Sequence, residues 1–575
     1  MRLFPVRTAA VALVLAVSAL FVSAQPAAPT APAPSAWERF VADFTNSYFA
    51  ANPTFAVASG LHNFDGQLPD WSDTALRAEV ARLRARRDEA VAFQDDTLNP
   101  DQRFERDYLI SIIRRDLFWL QTADSPHRNP AFYADALDPD VYVSRNYAPL
   151  ATRLVAYTRY AKAVPGALAQ VKENLRGPLA KPLIEIGKIM IGGLAEFYAT
   201  DVPKVFEAEL KGSAATEFNS ANAGAIKAVR EFAEWLGQRE KDATGEFALG
   251  RETFEAMIRE TEGVTVSLAE LEHIGQRDLE RNHQALEAAC ALYAPGKSLQ
   301  DALALAHSHK PQGSVMRVAT EQLSELRTFV AAHDVVTIPG NEEAQVNEAP
   351  IYKRWNFAYI NIPGPYESGL PSTYYVAPPD PSWPAAKQAA YVPSLGSLLF
   401  TSVHEVWPGH FLQFLHANRA PSKFGQVFVG YAFAEGWAHY SEEMMWDAGL
   451  GEGSPEMHIG QLEEALLRNA RFLSAIGLHT QGMTLAESER LFREKAHQDE
   501  ATAEEQARRG TFDPAYLNYT MGKLMIRKLR EDWCASRGGR SAWKEFHDQF
   551  LRYGGPPIPL VRRAMLGQSD KGSLF

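Results

Sequence analysis

Two histidines and two glutamates in the C-terminal half of the chain could bind and use a metal ion. His404 and Glu405 are adjacent, His410 follows after a short interval, and Glu435 comes later in the chain. Histidine nitrogens and a glutamate carboxylate are ligands that zinc takes in catalytic sites, where one coordination position stays open. We therefore predict one Zn²⁺ ion bound by His404, His410 and Glu435, with Glu405 as the base that takes a proton from water.

The spacing of the two histidines requires a break in the helix that carries them. In the common zinc-peptidase pattern the second histidine lies four residues after the first, one turn on and on the same face. Here that position is Pro408, and in a continuous helix His410 would point about 120° away from His404. Proline removes a backbone donor, and Gly409 permits unusual backbone angles. We predict that the helix breaks at Pro408–Gly409, so that His410 turns back toward His404.

The segment around Glu435 is predicted to be a second, buried helix. Glu435, His439 and Glu442 recur at positions that share one helix face, and the residues between them are mostly aromatic or alanine. A solvated charged face is the alternative. A buried glutamate needs a partner, which a metal would provide. We expect His416, His439 and Glu442 to be structural, with Glu442 the one of the three placed to support a metal ligand.

These motifs resemble those of a large bacterial family. The pattern His-Glu-x-x-Pro-Gly-His from His404 and the pattern Glu-Gly-Trp-Ala from Glu435 are similar to those of the group designated domain of unknown function 885 (DUF885). The resemblance extends over most of the chain and includes residues 249–254 and 268–275. It implies a secreted, zinc-peptidase-like protein related to the gluzincins. It also implies a helical, cleft-bearing fold similar to carboxypeptidase Taq or angiotensin-converting enzyme.

A hydrolytic site of this kind also needs a donor for the negative charge that develops on the substrate oxygen. Tyr519 is the first candidate for this catalytic role and His479 is the second. Arg471 and Lys523 are candidates for binding a peptide carboxylate, with a structural or solvated role as the alternative for each.

The fold class that the sequence predicts is mainly α, with a small β-sheet next to the active-site helix. Helical periodicity dominates, and capping-box patterns such as Ser35 with Glu38 mark helix starts. Within residues 335–384, short β-branched and aromatic runs bounded by Pro and Gly predict strands and turns. Tyr374 and Tyr375 lie in one of these runs and are candidates for lining a substrate edge.

Residues 1–24 have the features of a secretory signal peptide. Two arginines precede an apolar run of about 15 residues, which is short for a membrane span of about 20. Small residues mark a cleavage site near Ala24, and an Ala/Pro-rich tether follows at residues 25–35. An uncleaved anchor is the alternative. We predict an exported protein, periplasmic or extracellular, with residues 36–575 as a single helical domain or as two lobes that meet near 335–390.

The composition argues against several kinds of partner. The chain has 575 residues and a net charge of −12, which disfavours nucleic acid and anionic membranes. Its two cysteines, Cys290 and Cys534, are too few for a four-thiolate zinc site, and a disulfide between them stays open. We predict a zinc metallopeptidase that acts on peptides. The alternatives are a zinc hydrolase of non-peptide amides or esters and a binding protein with an inactive site.

Overall fold

The computed structural model describes residues 34–350, 353–354, 357–567, 570 and 572–575. The predicted signal peptide and most of the predicted tether lie outside the described residues. Within the described part, Ser35 starts the first helix. Its hydroxyl accepts a hydrogen bond from the Glu38 N–H, and the Glu38 carboxylate accepts one from the Ser35 N–H. The predicted capping box is thus confirmed.

The protein is mainly helical, as predicted. Before the sheet, the described helices are α1 (Ala36–Ala51), α2 (Pro53–Ala58), α3 (Asp73–Ala92), α4 (Pro100–Leu117), α5 (Ser125–Arg128), α6 (Asp140–Ser144), α7 (Leu150–Asn174), α8 (Lys181–Phe206), α9 (Gly212–Arg239), α10 (Arg251–Glu262), α11 (Leu268–Tyr293), α12 (Leu299–Ser308) and α13 (Val315–Ala332). Polar side chains start several of them by accepting hydrogen bonds from the first turn, as Asn99 does for α4 and Ser267 for α11.

After the sheet, the chain returns to helices that carry the candidate site. They are α14 (Ala385–Tyr391), α15 (Leu395–Glu405), α16 (His410–Ala417), α17 (Lys423–Val427), α18 (Tyr431–Asp447), α19 (Pro455–Thr480), α20 (Leu485–Lys495), α21 (Glu500–Phe512), α22 (Asn518–Ala535), α23 (Trp543–Leu551) and α24 (Ile558–Leu566). Ser394 starts α15, because its side chain accepts a hydrogen bond from the Ser397 N–H at 3.1 Å.

The predicted small sheet is confirmed, with three strands in the order β1–β3–β2. Strand β1 (Ala344–Glu348) pairs in parallel with β3 (Ser372–Val376), and β2 (Ala358–Asn361) pairs antiparallel to it. The run that starts at Val335 is not a strand but inserts buried valines into the core. The sheet is instead completed by β1, whose sequence Ala-Gln-Val-Asn-Glu is largely polar.

Tyr374 and Tyr375, which were predicted to line a substrate edge, do not lie on an edge of the sheet. Both lie in β3, which is the central strand, so neighbouring strands occupy both of its hydrogen-bonding sides. Tyr374 is fully buried, and the Tyr375 ring stacks on Tyr359 with ring centroids 5.0 Å apart.

Three apolar clusters form the interior of the described residues. The largest joins α10 and the later helices to the sheet, the second lies among α7, α8 and α9, and the third joins α1, α3 and α4 to Phe424 and Phe428. Residues on both sides of 335–390 belong to the first cluster, so the apolar core continues through that segment. Nearly all residues of the second cluster come from α9 or earlier elements, and nearly all residues of the first come from α10 or later elements.

Two further observations concern the described helices. None of them combines the length and the apolarity that crossing a bilayer demands. Cys290, in α11, and Cys534, in α22, are both buried free thiols.

Candidate metal centre

His404 and His410 lie on two helices separated by a sharp turn. Helix α15 ends at Glu405, the backbone leaves helical geometry at Val406 (φ −125°, ψ −75°), and α16 begins at His410. A Cβ on Gly409 would overlap the carbonyl oxygen of His404, so this turn has room only for glycine. The imidazole ring centroids of the two histidines are 4.8 Å apart. The predicted break is confirmed, and it begins two residues before Pro408.

Helix α18 places Glu435 opposite the two histidines. Its Oε2 lies 3.2 Å from Nε2 of His410 and 3.4 Å from Nε2 of His404. One ligand atom from each of the three side chains lies within 4.8 Å of the other two. Nε1 of Trp437 donates a hydrogen bond to the Pro408 carbonyl at 2.8 Å, which fixes the turn between the histidines against α18. The structure thus brings together the three residues predicted as metal ligands.

Helix α18 packs on α22 through two glycines. A Cβ on Gly436 would lie 2.5 Å from Cα of Gly522, and a Cβ on Gly522 would overlap the Ala432 carbonyl oxygen. The two backbones therefore touch, which side chains would prevent. This contact holds Tyr519, at the start of α22, beside the cluster, with its ring centroid 6.3 Å from that of His404.

The facing atoms of His404 and Glu435 fit a cation between them. Nδ1 of His404 lies 2.7 Å from Oε1 of Glu442 and donates to it, because an ionised carboxylate only accepts. In the neutral ring Nε2 then presents a lone pair to Oε2 of Glu435. That buried oxygen forms no hydrogen bond with any described residue, although both Nε2 atoms are close. Two acceptors this close repel each other unless a cation lies between them.

The electrostatics of the cluster also favour a cation. Burial and Arg468 oppose charge on His404, but the carboxylates of Glu435 and Glu442 outweigh them and raise its pKa to about 9. Burial would raise the pKa of Glu435, yet His410 and His404 hold it well below its usual value. A proton or a metal ion can satisfy this arrangement, and the donor set of two imidazoles and one carboxylate is one that zinc takes in catalytic sites.

Glu442 and Arg468 support His404 from behind, which confirms the supporting role expected of Glu442. The fully buried Glu442 also contacts Nδ1 of His439 at 3.3 Å and Nη2 of Arg468 at 3.2 Å. Arg468 lies 3.2 Å from Nδ1 of His404 as well, but the shorter contact to the carboxylate decides where the imidazole proton points. Glu464 binds the other end of the guanidinium at 2.6 Å. A carboxylate behind a histidine fixes the ring and strengthens its basicity.

Glu405 ends α15 beside the cluster. Burial raises its pKa, and the positive charge that His410 and His404 can carry opposes this rise. Because it follows His404 directly, its side chain leaves the helix about 100° away from that of His404. Glu405 is not one of the three candidate ligands. Its carboxylate therefore stays available to accept a proton beside them.

His479 is structural, which corrects its predicted role as a donor to the substrate. Its Nδ1 accepts a hydrogen bond from the Leu249 N–H at 3.2 Å, and its Nε2 donates to the Gly510 carbonyl at 2.7 Å. Burial lowers its pKa to about 4. Both nitrogens are therefore occupied by backbone groups, and its ring packs against Phe254 rather than against the cluster.

Lys523 is also structural, so it is corrected as a candidate for binding a substrate carboxylate. It is fully buried, and its Nζ lies 2.9 Å from Oδ2 of Asp278 and 3.5 Å from Oε2 of Glu443. The structural roles expected of two other histidines are confirmed. Burial lowers the pKa of His439 to about 3, and His416 contacts a backbone carbonyl.

One buried acid near the site was missed by sequence reasoning. Glu262, at the end of α10, accepts hydrogen bonds from the Ala432 N–H in the first turn of α18 and from Nδ2 of Asn518 at 3.0 Å. Burial raises its pKa to about 8. It satisfies a donor at the start of the helix that carries Glu435. In the sequence it is one of many acids in an amphipathic helix, and nothing marks it.

Comparisons with other proteins agree with the motifs. A family described as "Bacterial protein of unknown function (DUF885)" matches residues 53–565. A candidate lipoprotein of unknown function from Shewanella oneidensis has a similar structure, with a TM-score of 0.77, 23% identity and coverage of 93% of this chain and 100% of that one. A candidate lipoprotein from Colwellia psychrerythraea also has a TM-score of 0.77, with 17% identity and coverage of 92% and 98%. At these identities the likeness is one of fold. No curated protein matches the chain.

Proposed function

This chain belongs to the DUF885 family of bacterial proteins, whose function is unknown, and we propose that it is a zinc-dependent peptidase. One observation carries the proposal. Two imidazole nitrogens and a carboxylate oxygen that has no hydrogen-bond partner among the described residues converge around one point. Such a set suits zinc, and Glu442 behind His404 provides the orienting carboxylate typical of zinc sites.

The residues around this point supply what hydrolysis of an amide requires. Zinc bound by His404, His410 and Glu435 would act as a Lewis acid and lower the pKa of water. Glu405 takes the proton from the attacking water and returns it to the leaving amine. The hydroxyl of Tyr519 donates to the substrate oxygen as its negative charge grows.

A contact with Arg509 on α21 leaves the Tyr519 hydroxyl proton free to donate. Nη2 of Arg509 lies 3.4 Å from the Tyr519 hydroxyl oxygen and donates to it. The hydroxyl proton is therefore available to another acceptor. Burial raises the pKa of Tyr519, so it stays a neutral donor at physiological pH.

The proposal includes export to the periplasm or the outside of the cell. It rests on the apolar segment that follows the first arginines and on the names of the two relatives as candidate lipoproteins. A zinc hydrolase of non-peptide amides or esters is the second candidate, because the same groups serve that chemistry.

Metal analysis and peptide cleavage, measured on the same preparations, test the function. The purified protein is expected to contain one zinc ion and to cleave short peptides. Glu405→Gln should retain zinc and lose about 10²–10⁴-fold in cleavage rate, because the amide cannot accept the proton. His410→Ala should lose zinc. The exposed Glu494→Gln is the matched charge control and should behave like the parent.

Two results would contradict the proposal. One is a parent protein that binds no zinc when zinc is supplied. The other is Glu405→Gln that cleaves peptides at the parental rate. If zinc binds but only esters or non-peptide amides in the same substrate panel are hydrolysed, the second candidate replaces the first.

A further inference from the structure

Three arginines surround the ring of Tyr519. The guanidinium carbons of Arg468, Arg471 and Arg509 lie 5.8, 4.8 and 5.7 Å from its centroid. The Tyr519 ring in turn lies 6.3 Å from the His404 ring, and Arg468 also contacts Nδ1 of His404 directly at 3.2 Å. Positive charge therefore concentrates on one side of the proposed active site.

Two of these arginines are neutralised by the protein itself. Arg468 contacts Glu442 at 3.2 Å and Glu464 at 2.6 Å. Arg509 contacts Asp513 at 2.9 Å. Each has a carboxylate within direct reach, so neither requires a further anion.

Arg471 differs from both. Its side chain is buried, with 8% of the residue exposed, and its Nε donates to the neutral amide oxygen of Gln506 at 2.8 Å. Among the described residues no carboxylate oxygen lies within 4 Å of its guanidinium, and Glu505 acts on it only from farther away. Burial and the charge of Arg509 lower its pKa. A buried charge without a counter-ion is unfavourable unless a ligand supplies one.

We propose that Arg471 binds a carboxylate of the substrate, which makes the protein selective for peptides with a free carboxylate close to the scissile bond. A guanidinium presents paired donors that match a carboxylate. The Arg471 guanidinium lies 4.8 Å from the Tyr519 ring, which lies 6.3 Å from the His404 ring. An extended peptide rises about 3.3–3.6 Å per residue, so a carboxylate that Arg471 binds belongs to a residue within about three of the scissile bond. The C-terminal carboxylate of a short peptide meets this requirement. The inference rests on the proposed function for the location of the scissile bond.

Binding to the Glu405→Gln variant tests the inference without cleavage. Calorimetry would compare three related pentapeptides. The first has a free C-terminal carboxylate, the second is the same peptide as its C-terminal amide, and the third is an amide whose last residue is changed to glutamate. The free acid is expected to bind at least tenfold more tightly than the amide, because a charge-assisted hydrogen bond is lost in the amide. Adding Arg471→Gln should bring that ratio close to one, whereas Arg490→Gln, an exposed charge control, should not change it. Tight binding of the glutamate-ended amide alone would assign Arg471 to a side-chain carboxylate.

A stability measurement separates this role from a structural one. If the role of Arg471 is to bind a substrate carboxylate, Arg471→Gln removes a buried charge that the protein does not compensate. The melting temperature of the variant should then be unchanged or higher. Equal affinity for the free acid and both amides, or no binding of any of them, would overturn the inference. Failure of the proposed function is distinguished by a different measurement: the parent protein would then lack zinc or would not cleave peptides.

Discussion

Nδ1 of His404 lies 2.7 Å from Oε1 of Glu442, a carboxylate that is fully buried and also contacts His439 and Arg468. The contact connects α15 to α18 about two turns after Glu435. It fixes the imidazole proton on the side away from the candidate metal. The nitrogen that faces Glu435 is therefore available as a ligand.

We predict that Glu442→Gln weakens zinc binding about 10–100-fold, as loss of such an orienting partner typically does. The neutral amide accepts the imidazole proton less strongly, and it leaves Arg468 with less compensation. Competition with a chromophoric chelator measures the affinity. Glu494→Gln, which removes an exposed charge, serves as the control. Unchanged zinc affinity in Glu442→Gln would show that the contact has no part in metal binding.

The sequence predicted the three candidate ligands that the structure brings together, because each of them is identifiable from local chemistry. Pro408 and Gly409 indicated a turn, and His404, His410 and Glu435 are residue types that zinc takes. The family and the mainly α fold also followed from motifs and periodicity, and both are confirmed.

What the sequence could not predict depends on packing between distant segments. Lys523 is neutralised by Asp278 and Glu443, which lie on other helices, whereas the contact that Arg471 makes is with the neutral Gln506 on α21. Glu262 reaches α18 from a helix far away in the chain. Strand β1 was missed because its residues are polar, and it is a strand through its pairing with β3.

Gly409→Ala should abolish zinc binding and destabilise the fold. The added Cβ would overlap the His404 carbonyl oxygen, so the turn that joins the two histidines would have to open. Gly224→Ala provides the opposite control, because that glycine lies within α9 with open space around it. A helical Gly→Ala change there should be neutral or stabilising by up to about 1 kcal/mol. Denaturant unfolding and metal analysis of both variants check this, and a Gly409→Ala protein with parental zinc content would contradict it.

Glu262 should make stability depend on pH. Burial raises its pKa from 4.5 to about 8 on folding, so between these values the folded state holds a proton that the unfolded state lacks. This contribution to the free energy of unfolding is complete below pH 4.5 and is lost as the pH rises toward 8. Glu262→Gln cannot ionise, and at pH 8 it should be more stable than the parent by on the order of a few kcal/mol.

Urea unfolding of the parent and Glu262→Gln at pH 5 and pH 8 gives this comparison. The difference between the two proteins should be small at pH 5 and clear at pH 8. An equal response of both proteins to pH would mean that Glu262 does not titrate in this range.

Lys523→Met should destabilise the protein by about 3–5 kcal/mol, because it leaves the buried carboxylate of Asp278 and the partly buried carboxylate of Glu443 without this cation. Thermal unfolding measures the change. The comparison is Arg471→Gln, which removes a cation that no carboxylate contacts within the described part of the chain. A greater loss of stability from Arg471→Gln than from Lys523→Met would reverse the roles assigned to the two residues.

The crossing of α18 and α22 at Gly436 and Gly522 has a consequence for how the protein responds to heat. The separation of the α18 and α22 backbones, which carry Glu435 and Tyr519, is set by contact of main chain with main chain and does not depend on side-chain rotamers at the crossing. The proposed site should therefore keep its geometry until one of the two helices unfolds. Loss of zinc on heating would then coincide with loss of helical circular dichroism instead of preceding it.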